Sequence, residues 1–397
     1  MPRPSLEVAD LIRAAGNTFI ERSRRWLTWQ HLKVLLAIER CRTAALGGHI
    51  DECSRCGHRT TISYNSCRNR HCPKCQANAR DQWLEARSRE LLPTRYVHVV
   101  FTLPHELAPL ALQNKKVVYD LLFRTSAKTL LEVARNPNHL GAEIGFFSVL
   151  HTWNQKLEYH PHIHCIVPAG GLSPDHTRWI RTRYRFFLPI EVLGRVFRGK
   201  FVAALRQAFA AGKLGFHGQM KSLAQPKAFS SLLRQTFRHQ WVVYCKRPFG
   251  GPEYALRYLG RYTHRVAISN HRLVAFVDGQ VTFRWRDSAH KNKKRLMTLP
   301  VEEFLRRFLL HLLPRSYVRI RHFGFLANRR RAALLPLCSG LLATATELGA
   351  TPSASPDDRS PALWTCPYCG GPMVVIERLT AAQIRMRAPP LPAAEVQ

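Results

Sequence analysis

Cysteine spacing constrains the fold of this chain more than any other feature of its sequence. Six of the eleven cysteines fall within the first 75 residues, and four of these form two CxxC pairs. Fifteen residues separate the pairs, as in the C-x2-C-x15–20-C-x2-C pattern of a four-thiolate zinc site. The pattern predicts one zinc ion bound by Cys53, Cys56, Cys72 and Cys75.

Further cysteine and histidine side chains lie beside these pairs. They could replace one of the four ligands or help to build a second metal site. Alternatively, the cysteine is a small buried residue and the histidines are surface polar groups. The residues concerned are His49, His58, Cys67 and His71.

A third CxxC pair lies near the C-terminus, where Cys366 and Cys369 precede two glycines. Cys338 is the nearby thiol that might complete it, so four ligands are not evident within this segment. A degenerate half-site and an intermolecular site both fit the sequence, which leaves the choice open.

The net charge indicates a polyanionic partner. Sixty Lys and Arg against 26 Asp and Glu give a formal net charge of +34, which disfavours a compact chain unless bound anions offset it. Eight Trp, 11 Tyr and 20 Phe accompany the basic residues, a combination that suits phosphate pairing and base stacking. We therefore expect a nucleic acid partner.

Other partners and compartments are disfavoured by the sequence. No apolar run approaches the roughly 20 residues that span a bilayer, and no basic amphipathic terminus suggests a membrane anchor. The N-terminus lacks the layout of a signal peptide, and no G-x4-G-K-[ST] loop for a nucleotide triphosphate is present. We expect a cytoplasmic, nucleoid-associated protein that uses neither membrane nor nucleotide triphosphate, and its oligomeric state stays open.

Hydrophobic periodicity predicts an α+β fold with a central antiparallel sheet, flanking helices and a small N-terminal zinc-binding domain. Residues 95–104 and 145–153 are rich in β-branched and aromatic residues, as in buried strands. Asp278-Gly279 predicts a β-hairpin turn. The expected segments are a helical segment at 1–45, a zinc-binding module at 46–90, a catalytic domain at 91–335, and a linker with a CxxC tail at 336–397.

The segment His162-Ile163-His164 predicts a metal-binding strand. Residues two apart on a strand share a face, so both imidazoles would enter one pocket while Ile163 anchors in the core. Two neutral imidazoles plus a polar ligand can hold a divalent ion that activates phosphate oxygens. A polar strand face without an ion is the alternative for an isolated His-x-His.

Tyrosines recur every fourth residue at Tyr254, Tyr258 and Tyr262. On the helix predicted there, such residues lie on one face. A tyrosine stripe alone is typical of core packing, but packing would not place a cationic stripe one position away. That stripe consists of Arg257, Arg261 and Arg265.

The order of these motifs resembles that of the HUH endonuclease superfamily. The strand VVFTLP, the strand HPHIHCIVPAGG and the helix YLGRY follow one another along the chain. Together with the N-terminal segment SCRNRHCPKC, they resemble the two-tyrosine, rolling-circle transposases of the insertion-sequence-ninety-one family from about residue 40 to 335.

The resemblance implies metal-dependent cleavage and transfer of single-stranded transposon ends and target DNA. It makes Tyr258 and Tyr262 the nucleophiles that form 5′-phosphotyrosine intermediates, and His162 and His164 the ligands of a catalytic Mg or Mn ion. Zinc is expected in the N-terminal module. DNA contacts are expected from Arg257, Arg261 and Arg265, near the tyrosines.

The superfamily adds a third, polar metal ligand, for which Gln155 is our first choice, ahead of Glu158 and His264. We expect Tyr254 to be a packing residue. Base stacking and backbone contacts are expected from basic and aromatic segments elsewhere in the chain. These are the hairpin Phe283-Arg284-Trp285-Arg286 and the runs 291–295 and 329–331.

Three alternatives fit parts of the sequence. A plasmid rolling-circle replication initiator or relaxase would use the same residues. A non-catalytic zinc DNA-binding protein would use the histidines and tyrosines for packing. A zinc hydrolase could use His162 and His164, although no general base like the Glu of HExxH is evident.

Overall fold

The structure is a computed structural model of mixed helix and sheet. It describes residues 4–182, 187–245, 250, 251, 254, 260, 267–287, 290, 292–344 and 365–387, with the backbone alone for 77–81 and 344. The helices are α1 (Val8–Ser23), α2 (Trp29–Glu39), α3 (Pro73–Ser88), α4 (Ala108–Gln113), α5 (Lys115–Arg135), α6 (Ile190–Ala210), α7 (Pro226–Arg238), α8 (Val301–Leu310), α9 (Asn328–Thr344) and α10 (Ala381–Arg387).

The strands divide among four small sheets, with the order β12-β4-β5-β3-β8 in the largest. They are β1 (Gly48–Cys53), β2 (Ser63–Tyr64), β3 (Tyr96–Thr102), β4 (Gly145–Trp153), β5 (Tyr159–Pro168), β6 (Gly170–Leu172), β7 (Trp179–Arg181), β8 (Val243–Cys245), β9 (Leu273–Val277), β10 (Gln280–Asp287), β11 (Lys293–Pro300), β12 (Ile320–Gly324) and β13 (Met373–Leu379).

The five-stranded sheet is central, and its strand pairs are antiparallel. This confirms the predicted α+β class. Helices α5 and α6 cover one face, where Leu122, Ile163 and Phe197 are fully buried in the main core. On the other face Trp83 of α3 packs against Phe147. The sheet is therefore sandwiched between helices over part of its area.

A second core joins the N-terminal helices to the C-terminal half of the chain. Leu11 of α1 and Leu35 of α2 belong to the same buried cluster as Phe283 of β10 and Phe304 of α8. The sheet β11-β10-β9 carries this core on one face. The helical segment predicted at 1–45 thus packs as part of a larger unit, because its apolar stripes need this partner surface.

The hairpin between β9 and β10 has the turn that the sequence predicts. Val277 pairs with Gln280, so the loop consists of Asp278 and Gly279 alone. Both have positive φ, 48° and 71°, as a type I′ turn requires. This turn joins the strands at the edge of the second core.

The C-terminal segment departs from the predicted boundary at residue 336. Helix α9 continues through Pro336 to Thr344, because Cys338 and Leu342 are buried against a cluster that contains Phe325. Further on, β13 pairs with β1 along its whole length, from Gly48 opposite Leu379 onward. The tail is therefore integrated into the zinc-binding module. Among the described residues, no helix has the length and apolar character needed to cross a membrane.

Candidate metal centres

Alternation along β5 determines where the two predicted metal ligands point. Ile163 is fully buried in the main core beneath α5 and α6, so His162 and His164 lie on the opposite face of the sheet. Their ring centroids are 4.8 Å apart. The structure thus brings the two imidazoles together on one face, as the spacing predicts.

A third histidine, His151 of β4, completes this group. His151 pairs directly with His162 across the two strands, and its ring centroid lies 4.3 Å from that of His164. One ligand nitrogen from each of the three rings lies within 4.8 Å of the others. We call His151, His162 and His164 the histidine cluster. Sequence reasoning missed His151, because the register between β4 and β5 is not readable from either strand alone.

The protonation of His162 suits metal binding. Its Nδ1 lies 2.6 Å from the carbonyl oxygen of His160, which can only accept, so Nδ1 donates and Nε2 keeps its lone pair. Burial lowers the pKa of His162 to about 4 and also lowers the pKa of His160. The His162 ring is therefore neutral at pH 7, the form that ligates metals.

Trp153 contacts the histidine cluster, and His311, which follows α8, packs against Trp153. Trp153 stacks on His151 with centroids 4.6 Å apart, and His311, just after α8, contacts Trp153 edge-on. Nε2 of His311 donates to the carbonyl oxygen of Leu157 at 3.1 Å, and its Nδ1 lies 3.3 Å from the hydroxyl of Thr152. Burial lowers the pKa of His311 to about 3.

The other predicted site residues have different positions. Gln155 lies in the turn between β4 and β5, where its carbonyl oxygen accepts a hydrogen bond from Arg272. Glu158 accepts a hydrogen bond from Asn154 in the same turn. Tyr254 is 59% exposed, which contradicts the packing role expected for it. Outside the described residues lie Tyr258, Tyr262, Arg257, Arg261, Arg265 and His264.

The structure corrects the predicted grouping of the zinc ligands. Cys72 and Cys75 lie with two thiols that the CxxC pattern did not include, Cys41 and Cys67. Sγ of Cys75 is 3.6 Å from that of Cys41 and 3.6 Å from that of Cys67. We call this group the N-terminal cluster. Cys72 is the N-cap residue of α3, and Cys41 lies two residues after the end of α2, so the cluster joins the start of α3 to the end of α2.

The first knuckle, Cys53 and Cys56, has different partners. It begins at the last residue of β1 and lies with Cys366 and Cys369 of the C-terminal tail. These four thiols form the bridging cluster. The short spacing between the two knuckles predicted a single site. Instead, the pairing of β13 with β1 places the C-terminal CxxC pair beside the first knuckle.

One exposed surface is suited to DNA. On the outer face of the sheet β11-β10-β9, Arg284, Arg286 and Lys294 are exposed, and Arg286 pairs with Lys294 across the strands. Phe283 points inward and is fully buried, so the expectation that it stacks on bases is wrong. Trp285 is half-buried, and the ammonium group of Lys156 lies over its ring.

The predicted basic run at 329–331 has a structural role in part. Arg330 pairs with Glu143, and Arg331 pairs with Glu90 at 3.0 Å. These ion pairs connect the start of α9 to Glu143, just before β4, and to Glu90, just after α3. Both guanidinium groups are therefore engaged by carboxylates in this structure.

Two family models match the chain. The "Transposase zinc-binding domain" matches residues 11–103, which include the N-terminal cluster. The "Putative transposase" family matches residues 145–333, which include the histidine cluster. The two matched regions define the class: a transposase with an N-terminal zinc-binding domain.

Relatives extend the match to nearly the whole chain. The "Putative transposase y4qJ" of Sinorhizobium fredii is 50% identical over 385 residues, covering 95% of this chain and 96% of the relative. The "Transposase for insertion sequence element IS801" of Pseudomonas savastanoi pv. phaseolicola is 28% identical over 369 residues, with 88% and 84% covered. The chain belongs to the insertion-sequence-ninety-one family of transposases and is a DNA transposase.

Solved structures of a conjugative relaxase, TrwC, in complex with oriT DNA also match the chain. A metal-bound structure is 11% identical and covers 41% of this chain and 69% of the relaxase chain, with a TM-score of 0.22. A metal-free structure is 12% identical and covers 64% and 72%, with a TM-score of 0.23.

Proposed function

We propose that this transposase cleaves and rejoins single-stranded DNA at the histidine cluster, with Tyr258 and Tyr262 as nucleophiles. The observation that carries the proposal is the convergence of three imidazoles on one face of the central sheet. The role of the tyrosines rests on the YLGRY motif and on the family resemblance.

The donor set of the histidine cluster fits a divalent ion. Imidazole nitrogens bind first-row transition metals more readily than they bind Mg²⁺, which prefers oxygen ligands. Mn²⁺ binds imidazole more weakly than the later transition metals do, but it is the better match of the two ions expected. When bound, the ion polarises the scissile phosphate and offsets charge on its oxygens.

We assign the third ligand to His151 in place of Gln155. His151 pairs with His162 in register and contacts His164, which supports a ligand role. The carbonyl oxygen of Gln155 is held by Arg272, and this contact fixes the backbone of the turn. Gln155 is therefore suited to shaping the edge of the site.

The tyrosines supply the covalent chemistry. A phenol oxygen attacks phosphorus and loses its proton, while the bond to the 3′ oxygen breaks and that oxygen takes up a proton. The free pKa of a phenol is near 10, and neighbouring cations such as Arg257 or Arg261 would favour the phenolate. The resulting 5′-phosphotyrosine is attacked in turn by a 3′ hydroxyl, so no nucleotide triphosphate is consumed.

Two nucleophiles allow two covalent attachments at the same time. One tyrosine would hold the transposon end while the other acts on the target or on the second end. This arrangement suits rolling-circle transfer of a single strand.

The zinc of the N-terminal domain is assigned to the N-terminal cluster. Four thiols within 4.8 Å of one another match the tetrahedral thiolate sites that stabilise small domains. Helix α3 contains Cys75, has Cys72 as its N-cap residue, and packs on the central sheet. Zinc would therefore fix α3 on the face of the sheet that carries the histidine cluster.

The test of the nucleophiles is an adduct assay. The full-length protein is incubated with Mn²⁺ or Mg²⁺ and a labelled single-stranded oligonucleotide that carries the transposon end. We expect a denaturation-resistant adduct that Tyr258→Phe/Tyr262→Phe abolishes. The matched control is Tyr244→Phe/Tyr254→Phe, which changes two exposed tyrosines in the neighbouring sequence and keeps the adduct. An adduct that persists in the first variant contradicts the assignment, and a duplex that reacts as fast as the single strand contradicts strand preference.

A further inference from the structure

The bridging cluster joins residues from the two ends of the chain. Sγ of Cys53 lies 3.4 Å from Sγ of Cys369, and Sγ of Cys56 lies 3.6 Å from Sγ of Cys366. We propose that these four thiolates bind a second zinc ion, which fastens the C-terminal segment to the N-terminal module.

The two halves of the cluster have the same backbone turn. The amide of Gly57 donates to the carbonyl oxygen of Cys53 at 2.9 Å, and the amide of Gly370 donates to that of Cys366 at 2.9 Å. Both glycines have positive φ, 71° and 67°, a conformation that favours glycine. Two CxxC segments that are remote in sequence thus adopt one knuckle conformation.

Backbone amides also point at the sulfurs. The amide of Arg55 lies 3.4 Å from Sγ of Cys53, and the amide of Gly371 lies 3.4 Å from Sγ of Cys369. Such donors stabilise negative charge on a thiolate. The donor serves the first cysteine in one knuckle and the second cysteine in the other, so each knuckle has a backbone amide that can stabilise a thiolate.

The spacing of the sulfurs fits a single tetrahedral ion. All four lie within 4.8 Å of one another. Zn–S bonds of about 2.3 Å in a tetrahedron place sulfurs about 3.8 Å apart. A zinc ion therefore fits among them with only small adjustments.

The surrounding contacts hold the knuckles together. The amide of Ser54 donates to the carbonyl oxygen of Pro372 at 3.0 Å, and the rings of His58 and Tyr368 pack with centroids 4.4 Å apart. A Cβ atom on Gly371 would come within 3.1 Å of Sγ of Cys53 and 3.2 Å of Sγ of Cys369. Its nearest neighbour would be Cβ of Arg55 at 2.9 Å, so a larger residue at this position would require the first knuckle to shift.

The bridging cluster is separate from the N-terminal cluster and only half of it lies in a matched family region. Cys53 and Cys56 fall within the zinc-binding match at 11–103, whereas Cys366 and Cys369 lie beyond both matches. The tail thus completes a half-site in the module, which accounts for two CxxC pairs that neither end could use alone.

Metal analysis of the full-length protein tests the proposal. Protein purified with zinc and dialysed is expected to retain at least two zinc ions per chain, one in each thiolate cluster. Cys366→Ala/Cys369→Ala is expected to lose about one of them, while Cys245→Ala/Cys338→Ala, a matched pair of thiols outside both clusters, keeps both. An equal zinc content in the first variant and the unchanged protein, or only one zinc ion in the unchanged protein, would overturn the second site.

Thiol alkylation followed by mass spectrometry provides a readout that does not depend on total metal. Cys53→Ala is expected to raise the alkylation rate of Cys366 and Cys369 about tenfold or more, because they lose a shared ion. Cys72 and Cys75 should keep their protection. Unchanged protection of Cys366, or equal exposure of Cys72, overturns a separate site that bridges the chain ends.

Discussion

Nε2 of His98 and Nδ1 of His164 lie 2.7 Å apart, with their rings parallel to within 7°. His98 is on β3, and His164 is on the adjacent strand β5 of the same sheet face. When Nδ1 of His164 is the donor in this hydrogen bond, Nε2 of His164 is the nitrogen left to bind a metal. His98 then acts as a positioning residue, which fixes the tautomer and orientation of a ligand.

This contact predicts that His98→Phe weakens Mn²⁺ binding about 10- to 100-fold, since loss of an outer hydrogen bond typically costs that much affinity. His98→Gln, whose amide oxygen accepts a hydrogen bond, should recover part of it. Isothermal titration of the zinc-loaded protein with Mn²⁺ measures both. His105→Phe, at an exposed position, serves as the control. Equal binding by all variants would show that His98 has no role in orienting His164.

A second prediction separates His151 from Gln155 as the third ligand. His151→Ala should weaken Mn²⁺ binding and reduce adduct formation about 100-fold or more, because it removes a metal ligand. Gln155→Ala should leave Mn²⁺ binding within about twofold, because the contact of Gln155 to Arg272 is made by the backbone. Zinc content serves as the folding control for both variants. The reverse order of effects would restore Gln155 as the ligand.

The sequence was sufficient where one element decides the outcome. Strand parity predicted the shared face of His162 and His164, and Asp278-Gly279 predicted its hairpin. It was insufficient where two elements meet. His151 joins the cluster through the register of β4 against β5, and Cys53 finds Cys369 through the pairing of β1 with β13. Strand pairing depends on the tertiary fold, and each strand has many possible partners. Spacing along the chain therefore grouped Cys53 and Cys56 with Cys72 and Cys75, which the structure places in separate clusters.

The basic outer face of the sheet β11-β10-β9 predicts salt-dependent DNA binding. The slope of log K against log salt is negative, and each phosphate contact on a single strand contributes about 0.7 to its magnitude. Arg284→Ala/Arg286→Ala/Lys294→Ala should therefore make the slope shallower by about 2. Fluorescence anisotropy with a labelled oligonucleotide at several salt concentrations measures the slope. Lys227→Ala/Arg234→Ala/Arg238→Ala on α7 removes the same charge elsewhere, and an equal loss there would indicate a non-specific charge effect.

The buried His311 predicts a specific dependence of stability on pH. Its pKa is lowered by burial to about 3, whereas an unfolded histidine has a pKa near 6.5. Between pH 6.5 and about 3, only the unfolded state takes up a proton at this histidine. The contribution of the neutral ring to the free energy of unfolding is therefore complete above pH 6.5. It falls by about 1.4 kcal/mol per pH unit towards pH 3. Urea unfolding at pH 7.5, 6.5, 5.5 and 5.0 measures the trend, and His311→Gln should make it shallower.

Zinc release by protonated thiols also lowers stability as the pH falls, and it affects the His311→Gln variant and the unchanged protein alike. The difference between their pH slopes therefore isolates His311. Glutamine keeps a donor for the carbonyl oxygen of Leu157 but loses the ring contact with Trp153, so the variant should be less stable at pH 7.5. Because glutamine does not titrate, the variant should lose less stability on acidification. His105→Gln, at an exposed site, should reproduce the slope of the unchanged protein. Parallel slopes for His311→Gln and the unchanged protein would mean that the buried ring takes up its proton in the folded state.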